Sequence, residues 1–252
     1  MDYAVVTTCS NRKTAAPSEG LEARSLAHGV MEYVASEWLT RLRSATPVCA
    51  AADLYAGRGF RYASRACQNG GPFVVSAGLG FLTPGQPVPS YGLTVAHGAE
   101  DDIFARIDGR RDPAAWWDRL SASPFRSPLR AAFAGGGLVL MALSAPYLAM
   151  IAQELRDLPP SDVERLRLFL PGKPRYIPVN VAPCLMPYDS RLESPSSPLR
   201  GPLIDFAPRA LLHFTQYVLP ETPSGATPSR HAEATDEILD AFDAPEPGGM
   251  RP

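Results

Sequence analysis

The chain has 252 residues, 45% of them hydrophobic and 20% charged, with a formal net charge of −2. That length suits one sizeable α/β core with an appendage, and no run of about 18 apolar residues offers a membrane span. The four cysteines are scattered and form no CxxC pair, which excludes the usual zinc-knuckle spacing and a disulfide framework.

The start Met1-Asp2-Tyr3 lacks a basic region followed by an apolar stretch, so a cytoplasmic protein with reduced thiols is expected. Charge is unevenly spread. Residues 220–252 hold seven acidic and two basic residues, a net of −5, which leaves +3 on residues 1–219. A mildly positive body with an acidic end fits local nucleic-acid contact and fits a small-molecule enzyme equally well.

The first apolar run, Tyr3-Ala4-Val5-Val6, reads as a buried strand. Residues 21–44 carry a helical pattern in which Leu26, Val30, Val34, Trp38 and Leu42 recur every fourth position. A second strand is expected at 47–52, a short helix at 58–69 and a third strand at 73–77. A Gly- and Pro-rich loop over 78–92 follows. Helical pieces are expected at 113–121 and 125–134. Gly135-Gly136-Gly137 then releases the chain into the clearest strand, 138–143. Ser144-Ala145-Pro146 looks like a helix start, with a hydroxyl near the cap and proline in the first turn. That helix runs to about 158, and Ser161-Asp162-Val163-Glu164 has the spacing of a capping box. Strands are expected at 168–170 and, at an edge because of Pro178, at 176–179. A helix is expected from 205 to about 218.

Residues 1–219 are thus expected to form one α/β domain: a mainly parallel sheet of four to six strands with helices on both faces. Residues 220–252 read as an acidic, Pro-rich tail, mostly disordered, with one weak helix at 234–242.

Four polar clusters follow strand ends, where open α/β sheets bind ligands. The first is Cys9-Ser10-Asn11-Arg12-Lys13. Ser10 and Asn11 offer hydrogen bonds, and Arg12 and Lys13 offer phosphate contacts. The alternative is a solvated loop with Cys9 as a small buried residue. In the second, Gly78 and Gly80 allow close backbone approach to a ligand, and Phe81 and Tyr91 are aromatics placed to stack or simply to pack back on the domain. In the third, Ser144 and Tyr147 open a helix whose free amides suit an anion, although Ser144 also suits a plain N-cap. The fourth joins Asp189 with Asp205, Arg209 and His213, the last three on one helix face. Asp189 and Asp205 are the best pair of carboxylates for catalysis, against an N-cap role for Asp205 and a turn role for Asp189. No Ser/His/Asp triad can be assigned, because GxSxG is absent, and no metal site is suggested.

The segments Cys9-Ser10-Asn11-Arg12-Lys13, Asp53-Leu54-Tyr55 and Val75-Ser76-Ala77-Gly78-Leu79-Gly80-Phe81-Leu82, with Tyr91, resemble a bacterial family of uncharacterised proteins. Its members carry a CS-x-x-K start, a short LY…F segment and an SA-x-x-G-x-L…P-x-Y loop. The CS-x-x-K element is similar to one in the core domain of archaeosine synthases. Those domains resemble the uracil-DNA glycosylase superfamily in fold.

The resemblance implies a glycosylase-like three-layer sandwich and a DNA glycosylase-like hydrolase of a modified or damaged base, with a role in defence against phage. It implies DNA rather than RNA as partner, with no cofactor and no metal. A flipped base would stack on Tyr91 or Phe81, be read by Asn11 or Ser10, and react beside Asp205 or Asp189. Arg12, Lys13 and the Ser144 helix start would hold phosphates. Two other classes stay open: an enzyme acting on free nucleosides or nucleotides, and a non-catalytic nucleic-acid-binding module.

Overall fold

The computed structural model of the chain describes residues 1–172 and 176–243. Its first half runs β1 (Tyr3–Thr8), α1 (Met31–Arg43), β2 (Cys49–Ala50), α2 (Ala51–Leu54), α3 (Arg58–Ala66), β3 (Phe73–Ser76), β4 (Gly80–Leu82), β5 (Pro87–Val88) and α4 (Pro113–Arg119). The second half runs β6 (Leu138–Ala142), α5 (Ala145–Arg156), α6 (Pro160–Arg165), β7 (Leu166–Phe169), α7 (Phe206–His213) and α8 (Pro228–Asp243).

Five strands form one sheet in the order β4-β3-β1-β6-β7. β3, β1, β6 and β7 are parallel, and β4 folds back antiparallel on β3. Every residue of β6 is buried, as expected for a central parallel strand covered on both faces. The period of two then sorts its side chains. Val139 and Met141 join one core with Val6, Val74 and Leu168, while Leu140 and Ala142 join a second with Val5 and Phe169. Trp38 of α1, Trp116 of α4 and Ile151 of α5 close the first core. Ala63 of α3, Leu211 of α7 and Leu239 of α8 close the second. The result is a three-layer α/β sandwich.

Several expected elements differ. The helix expected over 21–44 begins only at Met31, and the segment before it carries a single 3-10 turn, Ala23–Ser25. Its backbone is paired elsewhere: Ala23 N–H donates to Gly92 O (2.6 Å), Gly92 N–H to Leu21 O (2.7 Å) and Gly29 N–H to Arg106 O (3.1 Å). Leu21 and Leu26 are buried all the same. The apolar run 47–52 adds nothing to the main sheet. Cys49–Ala50 pairs with Pro87–Val88 in a separate two-stranded sheet, and α2 follows at once. The expected loop 78–92 contains both β4 and β5. Gly80, at φ +95°, permits the reversal that leads into β4, and Ser76 Oγ accepts the Leu79 N–H (3.0 Å) inside it. The expected edge strand at 176–179 is absent: residues 176–178 have no regular structure and a 3-10 turn, Val179–Cys184, follows. Pro178 and Pro183 lack the N–H that a ladder requires.

The largest departure lies beyond residue 220. Instead of a mostly disordered tail, α8 spans Pro228–Asp243 and packs into the second core. His231, Thr235 and Leu239, four residues apart, are fully buried along one stripe. Arg167 of β7, also fully buried, donates from Nε to His231 Nδ1 (2.9 Å). Arg191 pairs with Asp236 (2.7 Å) and with Asp240 on the exposed side of the helix. Glu233, Asp236, Glu237 and Asp240 thus form the wet face of an amphipathic helix, and no packing boundary falls at residue 219. Residues 244–252 of the expected tail lie outside the described residues. Among the described residues no helix is long and apolar enough to cross a membrane.

Candidate functional site

The order β3-β1-β6 sets three strand ends side by side, so the chain segments that follow them meet. A cavity of about 350 Å³ lies there. Its wall comes from Thr7 to Asn11 at the end of β1, Leu143, Ser144 and Tyr147 after β6, Gly57 to Phe60 at the start of α3, and Ile204 and Asp205 before α7.

Local chemistry shapes each part. Ser10 Oγ accepts the Gly57 N–H (3.1 Å) and donates to the Arg12 carbonyl (2.7 Å), so its hydroxyl fastens the β1 loop to the start of α3. A Cβ on Gly57 would stand 2.6 Å from Ser10 Cβ, so only glycine permits this approach. Asp205 is buried and sits at the N-cap of α7, yet its side chain makes no cap bond. The carboxylate instead pairs with half-exposed Arg58. Gly59 leaves room beside it, since a Cβ there would lie 3.2 Å from Asp205 Oδ1. Ser144 caps α5 by position, but its hydroxyl makes no cap bond either. Cys9 Sγ lies 3.1 Å from the Tyr147 hydroxyl and accepts the Ala77 N–H (3.5 Å). Burial, reinforced by the nearby Cys9, pushes ionisation of the Tyr147 phenol well above its ordinary range. Asn11 is exposed at the cavity wall. Arg58 and Asp205 are the charged residues of the lining, and its other polar groups are hydroxyl, thiol and amide.

Cys9, Ser10, Asn11, Ser144, Tyr147 and Asp205 are therefore brought together. The other expected site residues are not. Phe81 is fully buried and stacks on Phe73 at 5.8 Å. Tyr91 is fully buried, with its hydroxyl 2.6 Å from Ser76 Oγ and 3.1 Å from the Tyr55 hydroxyl. Neither presents a face to a base. Gly78 and Gly80 serve packing: a Cβ would stand 2.5 Å from Tyr91 Cε2 at Gly78 and 2.8 Å from Arg126 Cβ at Gly80. Lys13 Nζ turns inward, donating to the Ser10 carbonyl (3.2 Å) and lying 4.3 Å from the Tyr91 ring centre, and burial lowers its pKa. Arg12 is exposed beside Asn11 but does not line the cavity. Asp189 is half-exposed and outside the cavity, bound to Arg191 (2.9 Å). Arg209 is fully buried and spent on Glu193 (2.5 Å) and the Leu199 carbonyl (2.7 Å), which secures the loop leading to Asp205. His213 is fully buried with Nδ1 against the Tyr188 hydroxyl (2.9 Å).

Sequence reasoning missed Arg58, whose available signal is the Gly57-Arg58-Gly59 triplet where a helix begins. Phe60, four residues past Ala56 in the same stretch, was also missed as a lining residue. Among the described residues no group of three or more His, Cys, Asp or Glu is placed to hold a metal ion. Comparison of the chain with models of known families, with curated proteins and with solved structures finds no match.

Proposed function

We propose that the protein is a hydrolase of N-glycosidic bonds that holds a nucleobase in the strand-end cavity, with DNA carrying a modified or damaged base as its substrate. Asp205 is the observation that carries this reading. It is a buried carboxylate, free of helix capping, held by Arg58 at the wall of a cavity whose other polar groups are neutral. Breaking the bond leaves positive character on the sugar, which a carboxylate stabilises, and the same group accepts a proton from the attacking water.

The neutral groups suit a base. Asn11 and Ser144 supply hydrogen bonds to its edge or its sugar, and Phe60 supplies an apolar wall in place of Phe81 and Tyr91. About 350 Å³ accommodates a base with its sugar but no duplex, so a base in DNA must leave the stack to enter. Exposed Arg12, beside Asn11 in the β1 loop, is a cation available for flanking phosphates. A second reading, hydrolysis of free nucleosides, gains support from the burial of Phe81 and Tyr91 and from the net charge of −2.

The test is to incubate the protein with oligonucleotides bearing natural and hypermodified bases, and with the matching free nucleosides, and to assay released base and abasic sites. Release from DNA is expected, lost in Asp205→Asn and weakened through KM in Asn11→Ala. Release from free nucleosides alone overturns the DNA assignment, and no release from either overturns the reaction.

A further inference from the structure

We infer that the Tyr147 hydroxyl is the donor that meets negative charge developing on the departing base, and that Cys9 and the backbone of Ala77 aim it. This rests on the glycosidic reading above and adds the group that handles the leaving side of the bond.

Three adjacent strand ends supply the three groups. Ala77 follows β3, Cys9 follows β1, and Tyr147 lies in the first turn of α5 after β6. The Ala77 N–H donates to Cys9 Sγ (3.5 Å), and Sγ lies 3.1 Å from the Tyr147 hydroxyl. A backbone N–H only donates, so the sulfur accepts from Ala77. Between Sγ and the Tyr147 oxygen either atom can donate, and the proposed arrangement is the one in which the thiol S–H points to the phenol oxygen. The phenolic proton is then left for a ligand in the cavity, which Cys9 and Tyr147 both line. In that arrangement the donors run one way, and each member polarises the next. Burial keeps the phenol protonated, so the group acts as a donor and not as an anion. The nearby cations have other tasks: Arg58 is paired with Asp205, and Lys13 is turned to the Ser10 carbonyl.

The step balances without a co-reactant other than water. The C1′–N bond breaks and its electron pair stays on the base nitrogen, where the Tyr147 O–H donates to it. Water adds its oxygen to C1′ and gives one proton to Asp205. That proton passes to the base as it leaves.

The test compares wild type, Tyr147→Phe and Cys9→Ala on two substrates that share one sugar and one base, the second base carrying an electron-withdrawing halogen. A better leaving group needs less help from a donor. Tyr147→Phe is expected to lose about 100-fold or more in kcat on the parent base and clearly less on the halogenated one, the size associated with removal of one preorganised donor. Cys9→Ala, which leaves the phenol in place but unaimed, is expected to show the same ordering with a smaller loss. It carries the comparison if Tyr147→Phe does not fold. Equal losses on both substrates overturn the inference and leave the glycosidic reading standing. A wild type that cleaves neither overturns the glycosidic reading itself.

Discussion

Two buried histidines make the fold sensitive to mild acid. His231 Nδ1 accepts from Arg167, which has no lone pair to offer in return, so the ring is neutral. His213 Nδ1 faces the Tyr188 hydroxyl, and both Nε2 atoms are buried without a partner among the described residues. Burial drives both pKa values from 6.5 down to about 4, with the Arg167 charge adding to the effect at His231. Above pH 6.5 the unfolded chain is neutral at these positions too, and nothing is lost. As the pH falls from 6.5 toward 4 the unfolded chain takes up protons that the fold refuses, so stability declines, and below 4 the loss levels off. Each histidine is expected to cost about 2 kcal/mol at pH 5 relative to pH 7.5, about 4 kcal/mol for the two together. Urea unfolding followed by tryptophan fluorescence at the two pH values measures this. His231→Gln and His213→Gln are each expected to reduce the pH-dependent loss by about 2 kcal/mol, whatever they do to stability at pH 7.5. Carboxylates are common to all three proteins and cancel in the comparison. A glutamine variant that keeps the full wild-type difference between pH 7.5 and pH 5 refutes the reasoning.

Gly57→Ala is expected to lower stability by about 1–3 kcal/mol, because its Cβ would press into Ser10; an unchanged thermal midpoint argues against the tight approach. Phe81→Ala is expected to cost about 3–5 kcal/mol as a core truncation, and a variant of native stability with weakened base binding would return Phe81 to the ligand. Truncation after Glu221 is expected to expose the second core and produce strong binding of a hydrophobic dye, whereas a shortened chain that melts like the parent shows α8 to be dispensable. Asp189→Asn is expected to alter stability by under about 1 kcal/mol, as an exposed pair with Arg191, and to leave base release intact; lost activity in that variant would place Asp189 in the reaction.

The parallel strands were legible because burial on both faces writes itself as unbroken apolar runs, as in Leu138 to Leu143. The strand-end location of the site was legible for the same reason, since Cys9, Ser10 and Asn11 follow such a run directly. Other features needed the third dimension. Tyr91 looks like a free aromatic in a glycine-rich loop, yet Gly78 makes room for its ring to pack inward. Arg209 and His213 share a face with Asp205 on paper, but only Asp205 reaches the cavity, while Arg209 and His213 are fully buried away from it. The Gly57-Arg58-Gly59 triplet marks Arg58 only as a helix start, because its partner, Asp205, lies 147 positions away. The last helix was obscured by composition: acidic residues dominate its count, while the buried stripe of His231, Thr235 and Leu239 contains a single strongly apolar member.

That last helix has a consequence for how the chain is made. The sheet face built on Val139 and Met141 has its partners in hand once the 3-10 turn Val179–Cys184 has emerged from the ribosome. The opposite face, with Leu140 and Phe169, gains Ala63 of α3 early but waits for Leu211 of α7, and its core is completed only when Leu239 of α8 appears. Asp205 also arrives long after Cys9, Ser10 and Asn11. A nascent chain therefore carries Cys9, Ser10 and Asn11 of the cavity wall well before the carboxylate of Asp205, and leaves apolar surface of the second core uncovered until α7 and α8 have followed.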